Sequence, residues 1–260
     1  MKKGTFLGGV HPFDGKELSK SKPITTLSPK GEMVFPLSQH IGAAATSLVK
    51  PGDSVLVGQK IAEAQGFISA CIISSVSGTV KAIEPRLTTS GAMTESIIIE
   101  NDNEYKKTAD FGKERDYTKL SKDEIRTIIK EAGIVGMGGA AFPTHVKLTP
   151  KDENSITHVI INAAECEPLM MVDHHIFKKH LRAIIEIMNL MLDATGAEEA
   201  IMGIKGKNMH LLDPQIVKET EGTRVKIKEI PDIYPAGDEV VLVYETTGKI
   251  IPEGAIPIMD

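Results

Sequence analysis

The sequence predicts a two-part chain, a parallel α/β domain in the carboxyl-terminal half preceded by a small all-β module. Two observations carry this. Residues 157–162 form an apolar run, a helical pattern extends from about 174 to 195 and stops at Gly196, and a second apolar run covers 199–204. Strand, helix and strand in that order form a β-α-β unit, in which the strands run parallel and the crossover is right-handed. From Pro36 to about residue 104, by contrast, short β-prone runs alternate with turn residues, the pattern of a small β fold. Residues 101–119 between them are charged and poor in apolar side chains, as expected of a linker. The expected division is an arm over 1–35, a β domain over 36–104 and an α/β domain over 120–260.

Taken in order, the arm holds Gly8, Gly9, Pro12, Pro23 and Pro29 and reads as irregular. The β module follows in runs at 49–63, 72–83 and 96–100. Beyond the linker, Ser121-x-x-Glu124 is a capping box, and Ile125, Ile128, Ile129 and Ala132 recur at helical spacing. Gly133 stands where a helix-ending glycine belongs. The helix over 174–195 carries Ile176, Phe177, Leu181, Ile184, Ile185, Ile187, Met188, Met191 and Leu192, more than one stripe, so a well-buried helix is expected. A strictly alternating run at 223–230 reads as a further strand, and 240–247 reads as a helix ending at Gly248. Asp238 and Glu239 fall at the start of that helix, where carboxylates are favoured.

The stretch richest in chemistry is 133–147, with glycines at 133, 136, 138 and 139 close to Lys147. Such a loop lets main-chain N–H groups approach an anion, and its expected guest is a phosphate or the edge of a flavin. Gly136-x-Gly138-x-x-Ala141 has the spacing of a dinucleotide fingerprint, but that fingerprint follows a strand, and a helix comes first here. Ligands of parallel sheets sit beyond the carboxyl ends of the strands, which singles out Asn162, Glu165 and Glu167. Tyr234, Gly237, Asp238 and Glu239 form a third polar segment. Cys166 lies between two glutamates, which disfavour its thiolate. His174 and His175 read as a polar helix start, and His158 as structural.

A formal charge of −5 gives no basic field for nucleic acid. The run at 184–192 is too short to span a bilayer, and no apolar segment follows the first residues to make a signal peptide. Two cysteines are too few for a zinc or iron–sulfur site, so redox chemistry would need an organic cofactor.

The pattern V-K-P-G-D-x-V-x-x-G-Q, with V-S-G-T-V after it, resembles the barrel-sandwich hybrid of biotinyl and lipoyl carriers. Gln65 to Ala70, where those carriers place their modified lysine, contains none, which points to a docking or structural module. The segments taken together resemble the flavin-binding subunit of respiratory complex I and, more closely, the C subunit of the Rnf electron transport complex. The carrying motifs are Gly136-Met137-Gly138-Gly139-Ala140-Ala141-Phe142-Pro143-Thr144-His145-Val146-Lys147, Asn162 to Pro168, Gly8 to Pro12 and Pro36 to Ala43.

This resemblance implies a Rossmann-like α/β FMN-binding domain plus a barrel-sandwich hybrid. Gly136, Gly138, Gly139, Ala140, Phe142 and Lys147 would hold FMN. Asn162, Glu165 and Glu167 would bond the flavin or position NADH, the two glutamates supporting hydride transfer without a protein nucleophile. Tyr234, Gly237, Asp238 and Glu239 would close the pocket. It further implies other Rnf subunits as partners, ferredoxin at one remove, [4Fe-4S] clusters whose ligands this chain lacks, and a place on the cytoplasmic face of the cell membrane. Alternatives are a soluble flavin reductase module of a proline or cobalamin reductase system, or a scaffold with a degenerate flavin site. Departures from the family pattern are Ala141 for the last loop glycine, Met137 for an arginine, Ala164 for an aspartate and Asp238 for a glutamate.

Overall fold

The computed structural model describes residues 9–137, 140–152, 155–255 and 257. Gly8, Gly138 and Gly139 lie outside the described residues. The chain forms two compact units, Thr25–Thr149 and the described residues of Met1–Ile24 with Pro150–Asp260.

The first unit is a two-sheet β module. Its strands are β1 (Glu32–Pro36), β2 (Thr46–Ser47), β3 (Ser54–Val55), β4 (Lys60–Glu63), β5 (Ile72–Ile73), β6 (Gly78–Leu87) and β7 (Met93–Asn101). One sheet has the order β1-β7-β6-β3 and the other β2-β4-β5. Phe35, Val55, Val80, Ile97 and Ile99 from the first sheet share a core with Ile61, Ala62 and Ile72 from the second. Along β6 and β7 the residues Val80, Ile97 and Ile99 face this core, while Ile98 between the last two is also fully buried.

Helix α1 (Lys122–Glu131) and the one-turn helix α2 (Thr144–Lys147) belong to this same unit. The Ser121–Glu124 capping box forms in full. Gly133 ends α1 at φ 64°, and a Cβ there would lie 2.3 Å from the Cys71 carbonyl oxygen. The His145 Nε2–H donates to the Phe67 carbonyl at 3.1 Å, and Lys60 is paired with Glu131. The spatial division thus differs from the boundary expected over 101–119, because α1 and its following loop are anchored to the β module by these contacts.

The second unit is built on a three-stranded parallel sheet, β8 (His158–Ala163), β9 (Glu199–Lys205) and β10 (Val225–Ile230), in the order β10-β9-β8. Helix α3 (Val172–Thr195) joins β8 to β9, the short α4 (Pro214–Glu219) lies between β9 and β10, and α5 (Glu239–Thr247) follows β10. Ala200, Met202 and Ile204 of β9 pack with Phe177, Leu181, Met188 and Leu192 of α3. Between them, Gly203 faces the other way, where a Cβ would meet Leu242 of α5 at 2.7 Å. Helices therefore cover both faces, and β9 is buried over six of its seven residues.

Helix α3 is less buried than its apolar content suggests, with Phe177, Leu181, Met188 and Leu192 inside. Ile176 and Ile187 are exposed, because a flat sheet covers one face of a helix only. His180 also breaks its dihedral pattern at φ −128°, ψ 18°. Asp238 caps α5 from outside, accepting from the N–H groups of Val240 and Val241. Among the described residues no helix is long and apolar enough to cross a membrane.

Candidate functional site at the carboxyl edge of the parallel sheet

The register aligns Ala163 with Ile204 and Lys205 with Ile230, so the three strands finish side by side. The loops that leave them meet at one edge of the sheet. A cavity of about 220 Å³ lies there, lined among others by Lys16, Glu165, Cys166, Lys205, Lys207 and Tyr234.

Asn162 and Gly237 are brought together. The Asn162 Nδ2–H donates to the Gly237 carbonyl at 2.8 Å, and Asn162 Oδ1 accepts from the Ala164 N–H at 3.1 Å. Gly237 sits so close that a Cβ would fall 3.1 Å from Ala164 Cβ and from Cys166 Sγ. Its N–H also donates to Cys166 Sγ at 3.2 Å. These bonds fasten the turn after β8 to the loop before α5, and they occupy the Asn162 amide.

Glu165 is the most constrained of the expected residues. It adopts φ 39°, and its side chain is 4% exposed. Oε1 accepts from the Lys16 ammonium at 2.6 Å and Oε2 from the His174 N–H at 2.9 Å. Burying a carboxylate is costly unless it is paired and hydrogen-bonded in this way. Glu165 is therefore part of a buried ion pair.

Neighbouring groups respond to this charge. Burial pushes the Asp173 carboxyl up, and the Glu165 charge adds to the effect. Burial holds the His174 imidazole below its ordinary value although Glu165 pulls it upward. His174 Nε2 is buried without a hydrogen-bond partner, 4.0 Å from Glu165 Oε2.

Glu167 and Glu239 are exposed, and Tyr234 is 41% exposed. These three keep their side chains toward solvent. Asp238 is occupied as the cap of α5.

The arm is an unexpected member of this edge. Val10 and Tyr234 exchange backbone hydrogen bonds of 3.0 and 2.8 Å, and the Leu169 N–H donates to the Asp14 carbonyl at 2.6 Å. Lys207 lies 3.5 Å from Asp14 and 3.1 Å from Asp232. Burial works against the Lys207 ammonium, yet these carboxylates, Asp232 foremost, raise it above its ordinary value. Sequence reasoning missed Lys16 because its partner is 149 positions away and no periodicity marks the arm.

The glycine loop belongs to the other compact unit. Its base is closed by the Gly136 N–H donating to the Phe142 carbonyl at 2.8 Å and the Thr144 N–H donating to that of Ile134 at 3.0 Å. Ala141 takes φ 48°, a region that favours glycine and costs an alanine strain. Met137 and Ala140 are exposed. Lys147 ends α2 with its ammonium 5.7 Å from the Phe142 ring centre, and it has no carboxylate partner among the described residues. Elsewhere in this unit Glu63, Cys71 and Glu131 bring three ligand atoms within 4.8 Å of one another. The Lys60 ammonium already bridges both carboxylates, and burial raises the Cys71 thiol, so the group is a closed ion-pair cluster.

Comparison with known proteins matches residues 4–104 to the RnfC barrel sandwich hybrid domain and residues 129–260 to the Nuo51 FMN-binding domain. The C subunit of the Na(+)-translocating ferredoxin:NAD(+) oxidoreductase complex of Acetobacterium woodii is 36% identical, over 99% of this chain and 58% of that protein. The C subunit of the proton-translocating ferredoxin:NAD(+) oxidoreductase complex of Clostridium ljungdahlii is 35% identical, over 97% of this chain and 55% of that protein. Among solved structures, an NAD+-reducing [NiFe]-hydrogenase in the air-oxidized state is similar at a TM-score of 0.46 and 26% identity, covering 53% of this chain and 26% of that one. The chain thus spans little more than half the length of the two curated relatives. With a Nuo51 FMN-binding domain over half its length and an RnfC barrel sandwich hybrid domain before it, the chain belongs to the RnfC family.

Proposed function

We propose that this chain is the FMN- and NADH-binding portion of an RnfC protein, exchanging electrons between NAD(H) and iron–sulfur carriers, with ferredoxin beyond them. The observation that carries this reading is the state of Lys147. It is an exposed ammonium without a carboxylate partner among the described residues, at the end of a glycine loop. Its chemistry fits an anionic phosphate, which a compact, mobile point charge binds well.

Gly136, Ala140 and Phe142 would line the same loop, and Gly138 and Gly139 are assigned to it from the sequence alone. At the carboxyl edge of the sheet, Glu167, Tyr234 and Glu239 have side chains free to meet a nucleotide. Asn162, Gly237 and Asp238 serve by holding that edge in shape, and Glu165 by its fixed negative charge. FMN, when bound, supplies the hydride and single-electron chemistry, and the protein supplies binding and orientation.

The partners proposed are the other subunits of such a complex. The place proposed is the cytoplasmic face of the membrane, held there by those subunits, since NADH is a cytoplasmic reductant. The domains proposed are the arm over 1–35, the barrel-sandwich hybrid over 36–104 and the flavin domain over 120–260.

Lys147→Ala is expected to weaken FMN binding about tenfold or more, the value of one charge-assisted contact, while leaving the melting temperature within about 1 °C. Fluorescence titration of FMN into both proteins reads the difference. Equal affinities would remove Lys147 from the site.

A further inference from the structure

Each loop that leaves the parallel sheet is held by the arm. After β8, Lys16 and Asp14 grip the segment 165–170, after β9 Lys207 pairs with Asp14, and after β10 Tyr234 is bridged to Val10. The centre of this grip is Lys16, whose residue is 6% exposed. Its ammonium donates to Glu165 Oε1 at 2.6 Å, to the Glu167 carbonyl at 3.2 Å and to the Met170 carbonyl at 2.5 Å.

A lysine has three N–H donors, and here all three are spent on one turn. That turn carries both glutamates assigned above to the ligand site. A buried ammonium committed in this way fixes the turn's path and supplies the counter-charge without which the Glu165 carboxylate would be buried alone.

We propose that Lys16 is a positioning residue for Glu165 and Glu167, so that the amino-terminal arm is a working part of the ligand site at the carboxyl edge of the sheet. This rests on the flavin and nucleotide reading given under the proposed function. Lys16 acts through Glu165 and does not itself meet the ligand.

The test uses the full chain and a double-mutant cycle read by FMN and NADH affinity. Lys16→Met is expected to weaken at least one ligand about tenfold in the wild-type background, and less than about threefold in a Glu165→Gln background, because coupled residues are non-additive. Lys16→Arg keeps the charge and should recover most of the affinity. Lys20→Met, on the same arm and paired among the described residues with exposed Glu17, should bind as wild type. Amide hydrogen exchange over 163–174 should rise in Lys16→Met and not in Lys20→Met, a readout that needs no ligand. Should Lys16→Met fail to fold, Lys16→Gln, which keeps a donor for the carbonyls, takes its place in the cycle.

Losses that add across the cycle, or unchanged affinity in a folded Lys16 variant, would overturn the positioning role. Failure of the wild-type chain to bind either ligand would instead overturn the flavin reading on which the role depends.

Discussion

At the scale of single residues, the site is a question of which polar groups are spent and which are free. Asn162, Glu165 and Asp238 stand where the sequence motifs put them, yet each is committed to the protein itself: to Gly237 and Ala164, to Lys16 and His174, and to the start of α5. The sequence marks such residues by type and spacing. It cannot show that Lys16 is their partner, because a contact across 149 positions leaves no local pattern. His174 shows what this burial does to titration. Its folded value is lowered, mainly by burial, so between that value and about 6.5 the unfolded chain binds more protons than the fold. Stability therefore rises with pH through that window and is lost as pH falls through it. Asp173, raised by burial, acts with the opposite sign, starting from its lower ordinary value of 3.8. The prediction is that His174→Gln gains stability relative to wild type as pH drops from about 7 to 5, measured by urea unfolding at each pH. A pH-independent difference would place the imidazole in ordinary solvent.

At the scale of elements, local signals are legible in the sequence and their packing is not. The Ser121–Glu124 box and the glycine stops at Gly133 and Gly196 can be read because each depends on neighbours in sequence, and the parallel pairing of β8 with β9 because the strand–helix–strand order dictates it. The burial of α3 is overstated by its composition, since a helix rich in apolar residues looks buried even where one sheet covers only one face. The attachment of α1 and the glycine loop to the β module has no local signal. It turns on close contacts such as Gly133 against the Cys71 carbonyl. At that position a side chain meets both a positive φ and a backbone oxygen. Gly133→Ala is expected to destabilise the chain by roughly 1–3 kcal/mol. A melting curve is enough to check it, and an unchanged melting temperature would show that the loop is not seated as described.

At the scale of the whole molecule, two compact units carry the chemistry of one proposed function. The β module holds the exposed Lys147 and its loop, and the α/β unit holds the carboxyl edge tied by the arm. Composition places both architectures correctly because period-two and helix–strand patterns survive in any sequence that must bury a core. The division of the chain in space follows packing and has no such signature. These residues are proposed to bind FMN and to let NADH reduce it. The most direct measurement is an anaerobic titration of the FMN-loaded chain with NADH, followed by flavin absorbance. Stoichiometric bleaching of protein-bound flavin is the result predicted. A folded chain that takes up no FMN, or that holds FMN which NADH leaves oxidised, would contradict it.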